Sequence, residues 1–276
     1  MRLFKSFFIF LLLTLVTQVG GFIYLVYEMV HPLATKRIKS KTPRVIVKMI
    51  IYGTLYLMIC LTIVPFIAGY FGRVPLPFLL EQNDTVKPAS LFYPLANRHY
   101  VTPALKEAFL EIAADYCSKT DVESLTYLDA NFPFLDGYPL HPHKSHFDGK
   151  KLDISFIFRD KKKNILSKSP SLLGYGYVEG PNKGEEDKPK ECSETNSYYN
   201  ILYKITSQNK AVTFDQKLNT SLIKQLVNSK AIDKIFIEPH LKNRLGFKRN
   251  SKVRFQGCNS MRHDDHIHIQ LPIVKK

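Results

Sequence analysis

The chain has 276 residues, 45% of them hydrophobic and 12% aromatic, with 39 Lys+Arg against 24 Asp+Glu and four Cys. That composition excludes a disordered or collagen-like chain, and four Cys are too few to scaffold a fold of this length. The formal net charge of +15 invites a nucleic-acid reading, but no basic motif interleaved with aromatic residues accompanies it, so nucleic acid is not an expected partner.

Apolar residues concentrate at the N-terminus. The run from Phe7 to Val30 carries one charge, Glu28, and a helix of that length rises about 36 Å, enough to cross a bilayer. It is longer than the core of a signal peptide and no small-x-small site precedes His31-Pro32, so it reads as an anchor rather than a cleaved leader. A second run, Val45 to Phe71, is interrupted only by Lys48 and contains Pro65 as a candidate kink. Residues 1–71 are therefore expected to form a membrane anchor of two transmembrane helices. The connector His31 to Arg44 holds Lys36, Arg37, Lys39, Lys41 and Arg44 and no acidic residue. The positive-inside rule assigns it to the cytoplasm and everything after Phe71 to the outside. Arg2, Lys5 and Arg73 oppose this assignment, and a cytoplasmic domain behind a hydrophobic hairpin stays an alternative. The anchor carries eight cations and one anion, the rest of the chain 31 and 23.

Residues 72–98, with Pro75, Pro77 and Pro88, read as an extended linker, and 99–276 as one domain. Pro103 to Ser118 has apolar residues at 105, 109, 112, 113 and 116, the spacing of an amphipathic helix. Leu152 to Phe158 is a predicted strand, and Asp160 to Tyr198 a long surface insertion. A helix over Asn219 to Ser229, a strand over Lys234 to Ile237, a helical turn around His240 to Arg244 and a last strand over Ile267 to Ile273 follow. This alternation predicts an α+β domain around a small sheet. Cys60 falls in the second apolar run. Of Cys117, Cys192 and Cys258, the last two lie in loop-like sequence and are the pair favoured if the domain is extracytoplasmic.

Six of the nine His fall in two windows, His141-Pro-His143-Lys-Ser-His146 and His263-Asp-Asp-His266-Ile-His268, with Asp148, Asp153, Asp264 and Asp265 in or beside them. On a strand, His266 and His268 share one face while Ile267 and Ile269 enter the core. Gly149 permits a tight turn into the strand that starts near Asp153, so that His146 and Asp153 can converge. Two His and one carboxylate with an open fourth position is a catalytic zinc arrangement. The helical H-E-x-x-H motif of common zinc proteases is absent.

The string His143-x-x-His146-x-x-Gly149-x-x-x-Asp153, followed by His263-Asp264-Asp265-His266-x-His268, resembles the penicillin-insensitive murein endopeptidases. These belong to a wider zinc peptidase group with the lysostaphin-type enzymes, D-Ala-D-Ala peptidases and hedgehog domains. Asn219 to Val227 and Lys234 to Leu245 look like that family's helix and its I-F-V-x-P-x-I-K segment, so the likeness covers about Pro133 to Leu271. It implies a small antiparallel sheet with flanking helices, of the hedgehog/D-Ala-D-Ala peptidase kind. It also implies Zn2+ held by His146, Asp153 and His268, with His266 as base or oxyanion stabiliser and Asp265 as the rival base. His143 and His263 would line the same pocket. The implied activity is hydrolysis of a peptide crosslink in peptidoglycan by a membrane-inserted enzyme whose catalytic domain faces the bacterial periplasm. The alternative is a non-catalytic zinc domain that binds cell-wall peptide or a protein partner. The family usually has Arg or a similar residue where this chain has Gln270, and Trp residues common near that motif are missing. The oligomeric state is left open.

Overall fold

A computed structural model of the chain describes residues 2–79, 81, 83–166, 169–196, 199–200 and 212–272. Its N-terminal third is helical: α1 (Arg2–Thr17), α2 (Gly20–Thr35) and α3 (Lys41–Tyr70). Of these only α3 is long and apolar enough to cross a membrane. The expected first span from Phe7 to Val30 is thus corrected: it breaks into two helices of 16 residues. Gln18 takes a left-handed conformation with φ +64°, which an ordinary helix cannot accommodate. The Thr17 hydroxyl bonds back to Leu13 O at 2.7 Å and accepts from the Gly20 N–H at 2.8 Å, closing the turn. Gly21 lets α2 cross α1 closely, since a Cβ there would stand 2.0 Å from Thr14 Oγ1. The Gln18 amide bonds both Phe134 N–H and Phe134 C=O at 2.9 Å, and the Tyr138 hydroxyl donates to Thr14 O at 2.8 Å.

The turn between α1 and α2 therefore abuts the rest of the molecule, as does the end of α3. The start of α1 and the connector between α2 and α3 lie at the other end of these helices, α1 packing along α2 and α2 along α3.

Residues 72–98 are not a linker. They form β1 (Val74–Pro75), β2 (Val86–Pro88) and α4 (Phe92–Leu95) and bury Leu76, Val86 and Tyr93 in the main core. The remaining elements are β3 (Tyr100–Val101), α5 (Pro103–Ser118), β4 (Leu125–Tyr127), β5 (Lys151–Ser155), β6 (Phe158–Arg159), α6 (Lys188–Thr195), β7 (Thr213–Phe214), α7 (Gln216–Asn228), β8 (Lys234–Phe236), α8 (Pro239–Arg244), β9 (Val253–Arg254) and β10 (His266–Gln270). The fold is mixed α+β. Its central sheet has six strands in the order β2-β4-β5-β10-β8-β9. The inner pairs are antiparallel, but β2 with β4 and β8 with β9 are parallel, so the sheet is mixed rather than purely antiparallel.

Local sequence explains these elements. Thr102 caps α5 by accepting from Leu105 N, and Pro103 occupies the first turn, where its missing N–H costs nothing. Helix α7 starts before the expected Asn219 because Asp215 caps it, accepting from Leu218 N at 2.9 Å. The apolar faces of α5 and α7, through Leu105, Phe109, Leu222 and Leu226, pack with Ile154, Ile267 and Ile269 of the central strands in one core. The last strand ends at Gln270; Ile273, in the expected strand, lies outside the described residues. The insertion after Asp160 is only partly surface. Its residues 174–177 are buried, and Cys192 on α6 forms a disulfide with Cys258, leaving Cys60 and Cys117 free. Tyr198 at its expected end lies outside the described residues.

Candidate metal centre

The register of β5 against β10 puts Asp153 opposite His268 and Ser155 opposite His266. Alternation then turns His266 and His268 to one face with Asp153, while Ile154, Ile267 and Ile269 fill the core on the other. His146 reaches them from the loop before β5. That loop turns at Gly149, whose φ is +74°, and the Gly149 N–H is held by Asn131 Oδ1 at 3.0 Å. A Cβ at Gly149 would collide with the Arg73 guanidinium, 1.9 Å away, so glycine is required there by both conformation and space. Asp148, flagged beside the first window, turns away from the centre and pairs with Lys151 at 2.5 Å.

Three ligand atoms converge. His146 Nε2 lies 3.2 Å from Asp153 Oδ1 and 3.1 Å from His268 Nδ1, and His268 Nδ1 lies 2.9 Å from Asp153 Oδ1. Tetrahedral ligands about 2.0–2.1 Å from a zinc ion stand about 3.3 Å apart, so this triangle is close to one face of such a polyhedron. His146 Nδ1 faces Ala130 O at 2.6 Å. A carbonyl can only accept, so the proton sits on Nδ1 and the Nε2 lone pair points at the centre. All three side chains are buried, and four imidazole nitrogens in and around the triangle, on His143, His263, His266 and His268, have no hydrogen-bond partner. Buried polar atoms are seldom left so. The donor set fits a divalent ion such as zinc, with the fourth position open.

The other oxygen of Asp153 faces a second set of histidines. His266 Nε2 stands 3.6 Å from Asp153 Oδ2 and His143 Nδ1 3.8 Å. Each of these rings is tied to a carboxylate of its own. His266 Nδ1 meets Asp265 Oδ1 at 2.5 Å, and His143 Nδ1 meets Asp129 Oδ2 at 2.8 Å, Asp129 itself being clamped by both Arg98 nitrogens. His263 completes the wall, its ring 4.8 Å from that of His266 and 5.7 Å from that of His268. All seven sequence-expected site residues are thus gathered in one place. Asp265 is buried, accepts from the Gly176 N–H at 2.5 Å and holds His266.

Burial alone would raise the Asp153 carboxyl, but His146, His266 and His143 outweigh it and hold it well below the usual range. Burial opposes charge on His266, yet Asp153 and Asp265 carry it up to about 9. His268, where burial wins over Asp153, is pushed down to about 4. Burial and the neighbouring His266 and His268 put His263 well below its ordinary value.

Four contributors escaped the sequence reading. Tyr175 donates to Asp153 Oδ2 at 2.6 Å, and its ring lies tilted against His143 and edge-on to His266, with centroids 4.5 and 4.9 Å away. Asp129 and Arg98 orient His143. Glu238 Oε1 accepts from the His263 N–H at 2.9 Å and the Tyr199 hydroxyl at 2.5 Å, fixing the approach to β10. Asp129 could have been found as a lone acid in an apolar run; nothing local marks Tyr175. Beside the centre a cavity of about 150 Å³ is lined by His143, Lys144, Ser145, Asn259, His263 and His268 among others.

Comparison with protein-family models and with curated proteins returns no match. The class that the fold and site define is an α+β protein with, among the described residues, one helix long and apolar enough to cross a membrane and a buried His/Asp cluster that could hold a metal ion.

Proposed function

We propose that this chain is a membrane-anchored zinc metallopeptidase that hydrolyses peptide crosslinks of peptidoglycan, as the likeness of its two histidine windows to the penicillin-insensitive murein endopeptidases suggests. The observation that carries the metal reading is the triangle of His146, Asp153 and His268, with edges of 2.9–3.2 Å. Zinc bound there supplies a Lewis acid that lowers the pKa of water to about 7 and polarises a carbonyl. The chain's own residues do the rest. His266, its Nδ1 held by Asp265 and its Nε2 towards Asp153 Oδ2, donates in this reading to the oxygen of a tetrahedral centre or to a departing amine. Asp265, its Oδ1 2.5 Å from His266 Nδ1, is its positioning partner in this reading. His143 and His263 bound the space in which the scissile carbonyl is held, and Tyr175 keeps the second oxygen of Asp153 occupied.

Placement of the domain in the periplasm is supported by two features. The basic connector and Arg2 and Lys5 share the end of the helices remote from the domain, the pattern of a cytoplasmic end. The Cys192–Cys258 disulfide belongs to an oxidising compartment. The helix that crosses the bilayer in this reading is α3.

Full-length protein in detergent, incubated with purified sacculi with and without a chelator and then with added zinc, tests the proposal. Release of crosslink-cleaved muropeptides by mass, lost with chelator and restored by zinc, is the expected result. Release that ignores the chelator sinks the zinc mechanism. The burial of the centre, where His146 and Asp153 are 0% exposed, favours as a second reading the non-catalytic zinc domain. Stoichiometric zinc with no product from any muropeptide would select it.

A further inference from the structure

A second cavity, of about 220 Å³, lies between α3 and the domain and shares no lining residue with the cavity beside the metal centre. Tyr56, Leu57, Leu61 and Pro65 of α3 form one wall; Leu76, Leu95, His99 and Tyr100 are on the other. The two walls are held at a fixed spacing. The Tyr56 hydroxyl donates to Leu95 O at 2.6 Å, and the buried Asn97 amide donates to the Tyr56 hydroxyl and Cys60 Sγ at 3.0 and 3.3 Å. Collapse of the cavity would break these bonds, so it persists as a preformed space. An apolar cavity of ~150 Å³ already binds a benzene-sized molecule.

Two observations say what fills it. First, two of its lining residues carry polar atoms that are buried and without a partner, His99 Nδ1 and Tyr100 Oη. Tyr100 is 0% exposed and His99 7%. A site that is apolar along its length with two orphaned polar atoms is built for a ligand with a hydrocarbon body and a hydrogen-bonding group. Second, the rim is continuous with exposed apolar surface of the helix that crosses the bilayer in the proposed reading. Leu57 on α3 and Leu91 and Leu95 beside the cavity are 41%, 61% and 40% exposed, and Ile63 and Phe66 on α3 are exposed as well. Beyond them, Glu81 at the cavity edge pairs with Lys106 at 2.5 Å, where headgroups would begin.

We infer that this cavity takes one acyl chain of an ester-linked bilayer lipid, with the Tyr100 hydroxyl donating to the ester carbonyl and His99 Nδ1 as a second polar contact. The inference rests on the membrane-anchored part of the proposed function and not on its chemistry. A lipid seated there would cement the domain to α3 at a fixed height above the membrane.

The test uses full-length protein in phosphatidylglycerol nanodiscs doped with a phosphatidylcholine that carries a diazirine in mid-chain. After photolysis, adducts are mapped by mass spectrometry, and the circular dichroism spectrum and melting temperature report that each variant is folded. Adducts are expected on Tyr56 to Leu61 and Pro94 to Tyr100, in addition to the outward residues Ile46 and Met49. Leu61→Trp, which fills the space, should lose the cavity adducts and keep the outward ones. Tyr100→Phe, which keeps the ring, should weaken them, as should an ether-linked diazirine lipid in the native protein. Outward adducts alone, or cavity adducts unchanged in both variants, overturn the lipid site and leave the membrane reading standing. Full cavity labelling by the ether lipid overturns the role of the ester. No adducts on any helix overturn the membrane reading and the lipid site with it.

Discussion

The two sides of Asp153 use the same residue types to opposite ends. At Oδ1, His146 is held by a neutral backbone carbonyl and His268 has no partner beyond the triangle itself. At Oδ2, His266 and His143 are each backed by a carboxylate, Asp265 and Asp129. A carbonyl can only accept, so Ala130 fixes the proton on His146 Nδ1 and leaves Nε2 facing the centre, while the carboxylates Asp153 and Asp265 draw His266 towards the imidazolium. The two sides thus differ in what stands behind the rings.

Asp153→Asn, which strikes both sides, should remove zinc and all hydrolysis, and metal analysis beside the muropeptide assay checks it. His146→Ala and His268→Ala should do the same from the Oδ1 side; stoichiometric zinc retained in both would break the assignment. His266→Ala should keep zinc and lower turnover by about 10²–10⁴-fold, the usual worth of a positioned acid or base. If zinc is lost as well, the two sides are not distinct. Asp265→Asn should keep zinc and cost about 10–100-fold, as expected of a group acting through another, with a shift of the pH profile that a merely structural role would not produce.

The smallest effects concern stability of the chelator-treated protein. His266, raised to about 9, contributes stability that is complete below its ordinary 6.5 and is lost as pH rises through about 9. His268, lowered to about 4, costs nothing above 6.5 and destabilises as pH falls from 6.5 towards 4. Melting temperature against pH should therefore fall on both flanks, and Asp265→Asn should flatten the alkaline one only.

Much of this centre was legible in the sequence because its residues lie on short-range patterns. His-x-His on a strand and a glycine before the Asp153 strand determine which side chains share a face. Pro103 to Ser118 was legible for the same reason, its cap and periodicity agreeing. What stayed hidden depends on distant contacts. Tyr175 reaches Asp153 from a segment whose Lys, Gly, Pro and Ser content resembles solvent-exposed loop. Residues 72–98 look like a linker because their prolines suit an extended path, yet Val86 to Pro88 lies along β4 as an edge strand, where proline is tolerated. The apolar count of Phe7 to Val30 outweighed Thr14, Thr17, Gln18, Gly20 and Gly21 in its middle, the residues that turn the chain back.

Arg73 is the first residue beyond Gly72 at the end of α3, its N–H bonded to Ala68 O at 2.9 Å. Its side chain is 2% exposed, pairs with Asp136 and lies under Gly149 in the loop that delivers His146. Val19, Ile23 and Tyr56 of the helices cluster with Tyr100 of the domain. The molecule accordingly has no clean seam. Scissors placed at Gly72 would leave a guanidinium without the helix end that aims it and an apolar scar where the helices had been, so the domain that carries the histidines is not a detachable head and the helices are part of its own foundation.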